Sequence, residues 1–218
     1  MTHELNIILP VRTAKNAKNR LSTLLSSQQR RELSTLLFNQ SLDFYRSQWP
    51  KIQLTIITDS YQFKKKGEEA GACVLTDPGS GLNNAVEFAT RYSLQKGFSR
   101  QLIVHSDIAI LDREEIAQLV DCKLSCPGIL GVPATADGGT NALLEQPPGI
   151  IEHYYGRDSF EKHKQAALRS GVELDVLELS GLGLDLDTEE DIYNYLKKDP
   201  NGMIAKKLNF WGVISLAS

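Results

Sequence analysis

Two aspartates alternate with two leucines in the segment LGLDLDTEED: Asp185 and Asp187 against Leu184 and Leu186. In an extended chain successive side chains point to opposite sides, so the carboxylates share one face and the leucines the other. Like charges on one face repel unless a cation or solvent separates them. Mg²⁺ carrying substrate phosphates suits one or two such carboxylates. Helix capping by Asp187 or Thr188 accounts for one acid, not both. A third carboxylate, Asp107, follows the apolar run in IVHSDIAIL. A metal-bound phosphate would sit at that place in an open α/β sheet, although an aspartate there also serves as a turn or cap residue. His105 beside it reads as a hydrogen-bonded structural residue.

Positive charge gathers in PVRTAKNAKNRL, where Arg12, Lys15, Lys18 and Arg20 fall within nine residues. Polyphosphate needs fixed cations together with backbone N–H groups near a helix start. A solvated basic loop explains the charge alone equally well. The pattern GxxxxGK[ST] of a Walker loop is absent. In DGGTNALL, Gly138 and Gly139 permit close backbone approach to a ligand, and Thr140 and Asn141 add neutral donors. In YYGRDSFEKH, Gly156 and Ser159 precede a helix, so the amides of residues 156–160 form a candidate anion nest. In TDPGSGLNNAV, Gly79 and Gly81 open another helix, where Asn83 or Asn84 could read a base edge. Ordinary turns are compatible with each of these last three.

Such residues need a sheet to hold them. Strand-like runs at Leu5–Val11, Ile52–Thr58, Ala72–Leu75, Gln101–His105 and Gly128–Val132 alternate with helical ones. The helices are Ser26–Gln48 (with Ser26 and Gln29 as a capping box), Gln62–Ala70, Asn83–Lys96 and Arg113–Val120. Ala85, Phe88, Ala89 and Tyr92 share one face of the third. The second half continues with a short strand Asn141–Leu144, a helix Ser159–Arg169, a strand Glu173–Leu179 and a helix Thr188–Leu196 capped by Thr188. This order predicts a three-layer α/β/α domain with a mostly parallel sheet. Right-handed crossovers then put every strand's carboxyl end on one edge, where ligands bind. The expected organisation is one domain over residues 1–197 and a tail over 198–218. Phe210, Trp211, Val213, Ile214 and Leu216 of that tail would cover the domain or join a partner subunit in a homodimer.

Composition narrows the function classes. The 218 residues are 41% hydrophobic and 23% charged, which excludes a disordered, collagen-like or heptad-repeat chain. A net charge of −3 argues against broad capture of nucleic acid. No run approaches the roughly 20 apolar residues that span a bilayer, so no membrane partner is expected. The amino terminus lacks the pattern of a signal peptide. Cys73, Cys122 and Cys126 read as reduced thiols of a cytoplasmic protein.

Taken together and in this order, these segments resemble the 2-phospho-L-lactate guanylyltransferase family, from Asn6 to about Tyr195. DGGTNALL, Gly156–His163 (the pattern GxxSFxxH) and LGLDLDT carry most of the likeness. The family's opening strand, PVK and AKxRL stand here as Pro10-Val11-Arg12 and Ala17-Lys18-Asn19-Arg20-Leu21. The resemblance implies a nucleotidyltransferase of the glycosyltransferase-A-like (nucleotide-diphospho-sugar transferase) fold, acting in coenzyme F-420 biosynthesis. It further implies Mg²⁺ on Asp107, Asp185 and Asp187. GTP would lie against Arg12, Lys15, Lys18 and Arg20, with Gly81, Leu82 and Asn83 near the guanine. A small phosphorylated acid (phospholactate, phosphoenolpyruvate or 3-phosphoglycerate) would lie on Thr140, Gly156 and Ser159, with Asp107 and Lys18 serving the reaction itself. Arg12 replaces the usual Lys, His105-Ser106-Asp107-Ile108-Ala109 replaces HADLP, and the tail has no counterpart. Rival readings are a nucleotidyltransferase acting on a sugar phosphate or molybdopterin, which the first loop's lack of a GxxxR-type pattern disfavours, and a non-catalytic nucleotide-binding domain. The latter predicts decay of the acids, yet all three are present.

Overall fold

The computed structural model describes residues 3–12, 18–79 and 81–214. Seven strands form one sheet: β1 His3–Pro10, β2 Gln53–Thr58, β3 Cys73–Thr76, β4 Phe98–Val104, β5 Gly128–Pro133, β6 Thr140–Gln146 and β7 Leu174–Val176. Their order across it is β3-β2-β1-β4-β6-β5-β7. The helices are α1 Ser27–Gln48, α2 Tyr61–Glu69, α3 Leu82–Gln95, α4 Arg113–Val120, α5 Ser159–Arg169, α6 Glu189–Lys198 and α7 Met203–Phe210. Among the described residues, no helix is long and apolar enough to cross a membrane.

Alternation along β1 sets the layers. Ile7 and Leu9 point to one face, where Phe38, Leu42 and Tyr45 of α1, Phe63 of α2 and Ile116 and Leu119 of α4 cover them. Ile8 points to the other, joined by Ile57, Ile103 and Ala85, Val86 and Ala89 of α3. On that side α5 packs Phe160, Ala166 and Ala167 against Ile129 and Leu143. Both faces are covered, which is why the strands read as unbroken apolar runs. Ser26 caps α1 with Gln29 as reciprocal partner, and Thr188 caps α6 with Asp191 in the same way.

Three expectations need correction. β6 runs antiparallel to both β4 and β5, so not every strand ends at the ligand edge. Six residues separate Pro133 from Thr140, whereas a parallel crossover takes a dozen or more. The chain can only turn back, which delivers the start of β6 to that edge. The face of α3 is also rotated: Val86, Thr90 and Ser93 are buried beside Ala85 and Ala89, and Phe88 is partly exposed under Arg91. The strand expected over Glu173–Leu179 shortens to Leu174–Val176.

Around β1 the connections change direction. β2 and β3 follow on one side of it, and β4 then returns to the other. The crevice between β1 and β4 is therefore a topological switch point, where open α/β sheets bind ligands.

Candidate active site

Beyond β4 the chain meets the segment that follows β7. Ile108 bridges Asp185 antiparallel, the Ala109 amide donates to Leu184 O at 3.1 Å, and the Leu186 amide donates to Asp107 O at 3.3 Å. This short ladder keeps residues 184–187 extended. Leu184 and Leu186 are buried against Leu21, Leu25, Leu33 and Ile204 and Leu208 of α7, and the acids face the opposite way. One oxygen from each of Asp107, Asp185 and Asp187 lies within 4.8 Å of the other two. Neighbours hold the segment from behind. The Glu115 carboxylate accepts from the amides of Gly181 and Leu182 at 2.9–3.0 Å, and Asp191 accepts from those of Asp187 and Thr188 at 3.1 and 2.7 Å.

Lys18 sits among these acids. Its ammonium donates to Leu186 O at 2.7 Å and Asp187 Oδ1 at 3.0 Å, and lies 3.4 Å from Asp107 Oδ2. Its side chain is only 5% exposed. The backbone there is left-handed, at φ +51°, a conformation that costs a non-glycine residue about 1–2 kcal/mol. Leu21, fully buried three residues on, anchors the turn. Burial alone would lower the Lys18 pKa, but the charges of Asp107 and Asp187 more than reverse it. Burial would raise Asp107, and Lys18 beside it holds it below the usual carboxylate range. Asp185 is pushed up to about 7, by burial and then by the charges of Asp107 and Asp187.

This donor set fits a hard divalent cation. It offers carboxylate oxygens alone, Asp107 Oδ1 is buried with no hydrogen-bond partner among the described residues, and Asp185 is crowded by like charge. Such a cation would relieve what Lys18 leaves uncompensated.

Two clefts flank the acids and share Leu82, His105, Asp107 and Asp187. One, of about 220 Å³, lies over the end of β1 and takes in Pro10, Arg12, Lys18 and Ser34. The other, of about 300 Å³, lies over the start of β6 and takes in Arg20, Thr140, Gly156, Ser159 and Asp185. The basic loop is thus divided: Arg12 is in the first cleft, 3.2 Å from buried Asp77, while Arg20 is in the second, 3.6 Å from Asp137. Lys18 accompanies Arg12 in the first cleft, and the two clefts adjoin at the shared acids. Lys15 lies outside the described residues. Gly81 caps α3 at φ +104°, which only glycine adopts without strain. The Asn83 amide is occupied at both ends by Tyr155, accepting from its N–H at 2.6 Å and donating to its C=O at 3.4 Å. It braces the strand of chain leading to Gly156. In the expected nest, two amides are already bonded: Ser159 to Gly156 O and Phe160 to Gly138 O. Among the described residues, those of Gly156, Arg157 and Asp158 remain for a ligand.

Sequence reading missed the supports. Asn141, a ligand donor by residue type, donates to Leu182 O at 3.1 Å and Asp185 Oδ1 at 3.3 Å, and so positions a carboxylate. His163 bonds Thr140. His105 is held neutral by burial, with Nε2 unpartnered among the described residues. The spacing of Asn141 beside Thr140 was visible, but only the reversal of β6 brings it to Asp185.

Residues 5–207 match the family described as "Guanylyl transferase CofC like". A 3-phospho-D-glycerate guanylyltransferase from Colwellia psychrerythraea is 37% identical over 86% of this chain and 89% of its own. A phosphoenolpyruvate guanylyltransferase from Rubrobacter xylanophilus is 31% identical over 85% and 90% respectively. In fold, the chain is similar to a crystal structure from Desulfovibrio desulfuricans G20 described as a candidate nucleotide-diphospho-sugar transferase. The TM-score is 0.74 at 16% identity, covering 96% of this chain and 95% of that one.

Proposed function

We propose, for a chain that belongs to the CofC-like guanylyl transferase family, that it transfers GMP from GTP to 3-phosphoglycerate and releases pyrophosphate, as a cytoplasmic enzyme of deazaflavin coenzyme biosynthesis. The observation that carries this reading is the cluster of Asp107, Asp185 and Asp187, with Lys18 among them, between two clefts at the switch point of the sheet. The choice of acceptor is supported by the 37% identity to a relative named for 3-phospho-D-glycerate, against 31% to one named for phosphoenolpyruvate.

In this reaction an acceptor phosphate oxygen attacks the α-phosphorus of GTP. The bond from that phosphorus to the oxygen bridging to the β-phosphate breaks, and pyrophosphate leaves. The acceptor phosphate already carries about −1.5 to −2 at neutral pH, so no protein base has to create the nucleophile. What remains is to align two phosphates and cancel their repulsion. Arg12 and Lys18 would hold the triphosphate over the end of β1, with Gly81, Leu82 and Asn83 at the start of α3 beside the guanine. Thr140, Ser159, Arg20 and the amides around Gly156 would hold the acceptor over β6. Asp107, Asp185 and Asp187 would hold Mg²⁺, which when bound neutralises phosphate oxygens brought close together.

Pyrophosphate release tests this directly. Purified protein with Mg²⁺ and GTP is offered 3-phosphoglycerate, phosphoenolpyruvate or phospholactate, with ATP and CTP as controls. GTP-dependent release with 3-phosphoglycerate is expected, and Asp185→Asn or Asp187→Asn should abolish it. Preference for another acid overturns the acceptor assignment. Normal turnover by either variant overturns the metal assignment.

A further inference from the structure

We propose that His163 is a positioning residue for the acceptor side of the site, orienting the hydroxyls of Thr140 and Ser159 so that the cleft presents a hydroxyl hydrogen to an anionic group. The inference rests on assigning the cleft over β6 to the acceptor.

His163 lies on α5, one turn beyond Ser159, and is fully buried. The Tyr154 backbone N–H reaches its Nε2 at 2.8 Å. A backbone N–H can only donate, so Nε2 carries no proton and the neutral ring holds its hydrogen on Nδ1. That hydrogen points to Thr140 Oγ1, 2.9 Å away. Thr140 therefore accepts from the imidazole and keeps its own O–H. Ser159 Oγ is 3.0 Å from the same oxygen. Two hydroxyls joined by one hydrogen bond use one proton between them, and one O–H is left over whichever of them donates. Both side chains line the cleft with Gly156. A carboxylate or phosphate accepts such a hydrogen, whereas a lone pair presented in its place would repel it.

A second proton on the ring would set Nε2–H against the Tyr154 N–H. Burial, followed by the charge of His153, holds the His163 pKa down at about 3. The donor arrangement therefore persists at neutral pH.

Three variants and one spectroscopic measurement test the assignment. His163→Gln can still accept from Tyr154 but no longer donates to Thr140, and His163→Asn retains an N–H near the Nδ1 position. Losing a hydrogen bond to a charged group should raise the acceptor KM of His163→Gln by roughly tenfold to a hundredfold. Its KM for GTP should stay within about twofold, and His163→Asn should recover most of the loss. Thr140→Val is the reference: if it leaves acceptor KM unchanged, the acceptor assignment of the cleft fails. If Thr140→Val is impaired while the Gln and Asn variants behave alike, His163 is merely structural and the present inference fails. The ¹⁵N shifts of the wild-type imidazoles decide the matter even if a variant does not fold. With four histidines in the chain, the His163 signals can be assigned, and a protonated Nδ1 with a bare Nε2 between pH 6 and 9 is expected. The opposite tautomer overturns the proposal.

Discussion

His153 offers the sharpest test of how the acceptor side is held. Its side chain is buried between two carboxylates, with Nδ1 2.7 Å from Glu87 Oε1 and Nε2 3.2 Å from Glu145 Oε1. Glu145 is itself fully buried, and its second oxygen accepts from Gln101 and from the Gly149 amide. Burial alone would lower the His153 pKa, but Glu145 and then Glu87 overcome it and raise it to about 10. Against an ordinary value near 6.5, at about 1.4 kcal/mol per unit, the charged imidazole contributes roughly 3–5 kcal/mol of pH-dependent stability. The folded pKa is the higher one, so that contribution is complete below about pH 6.5 and is lost as pH rises towards 10. Removing both charges with His153→Gln/Glu145→Gln should abolish this dependence. Urea unfolding of wild type and double variant at pH 7 and pH 9.5 should show their stability difference shrinking by about 3 kcal/mol. Other titrating groups are common to both proteins and cancel. His153→Gln alone leaves Glu145 buried and unpaired, which should cost about 3–5 kcal/mol at neutral pH. Parallel pH profiles for wild type and double variant would refute the charged His153.

Further tests concern the acids and their supports. Asn141→Leu removes the amide that steadies Asp185 and should weaken Mn²⁺ binding, measured by isothermal titration, about 10–100-fold. Lys18→Met keeps an unbranched side chain, one atom shorter, but removes a cation 3.0 Å from Asp187. Steady-state kinetics should show GTP KM raised about tenfold or more, whereas Mn²⁺ binding to nucleotide-free protein should tighten. Leu208→Ala opens a cavity in the cluster that backs Leu21 and Leu186 and should cost about 2–5 kcal/mol in denaturant unfolding. Its Mn²⁺ affinity should fall as well, because the same cluster supports the acid-bearing segment.

The limits of sequence reading follow from which interactions leave a pattern. Helices α4 and α5 have the boundaries read from periodicity, and Ser26 and Thr188 cap as their residue types suggest. Strand direction leaves no trace in side-chain alternation. For β6 the decisive clue was instead the six-residue connection after Pro133. The rotation of α3 has another cause. Ser93 and Thr90 face the sheet because each meets a buried polar partner, Ser93 with Asn6 and Thr90 with Gln101. Matched polar pairs look like a solvent-exposed face in a helical projection, so periodicity alone turns Phe88 and Tyr92 inward.

Similar side chains near the site have different roles because their partners differ. Asn83 and Asn141 both lie near the ligand edge, yet the first has its amide engaged by the Tyr155 backbone and the second steadies Asp185. Among the histidines, His153 lies between two carboxylates and is charged. His163 has one nitrogen occupied by a backbone donor and is neutral. Glu87 and Asn83, one turn apart on α3, hold His153 and Tyr155, the residues that lead into Gly156. Leu82 at the start of that helix lines both clefts. α3 therefore joins the two clefts mechanically: its first turn borders both, and the same turn and the next fix the backbone that shapes the second. The amide and hydroxyl positions over β6 are thus set by partners distant in sequence, which is why residue type alone could nominate them but not assign what each one does.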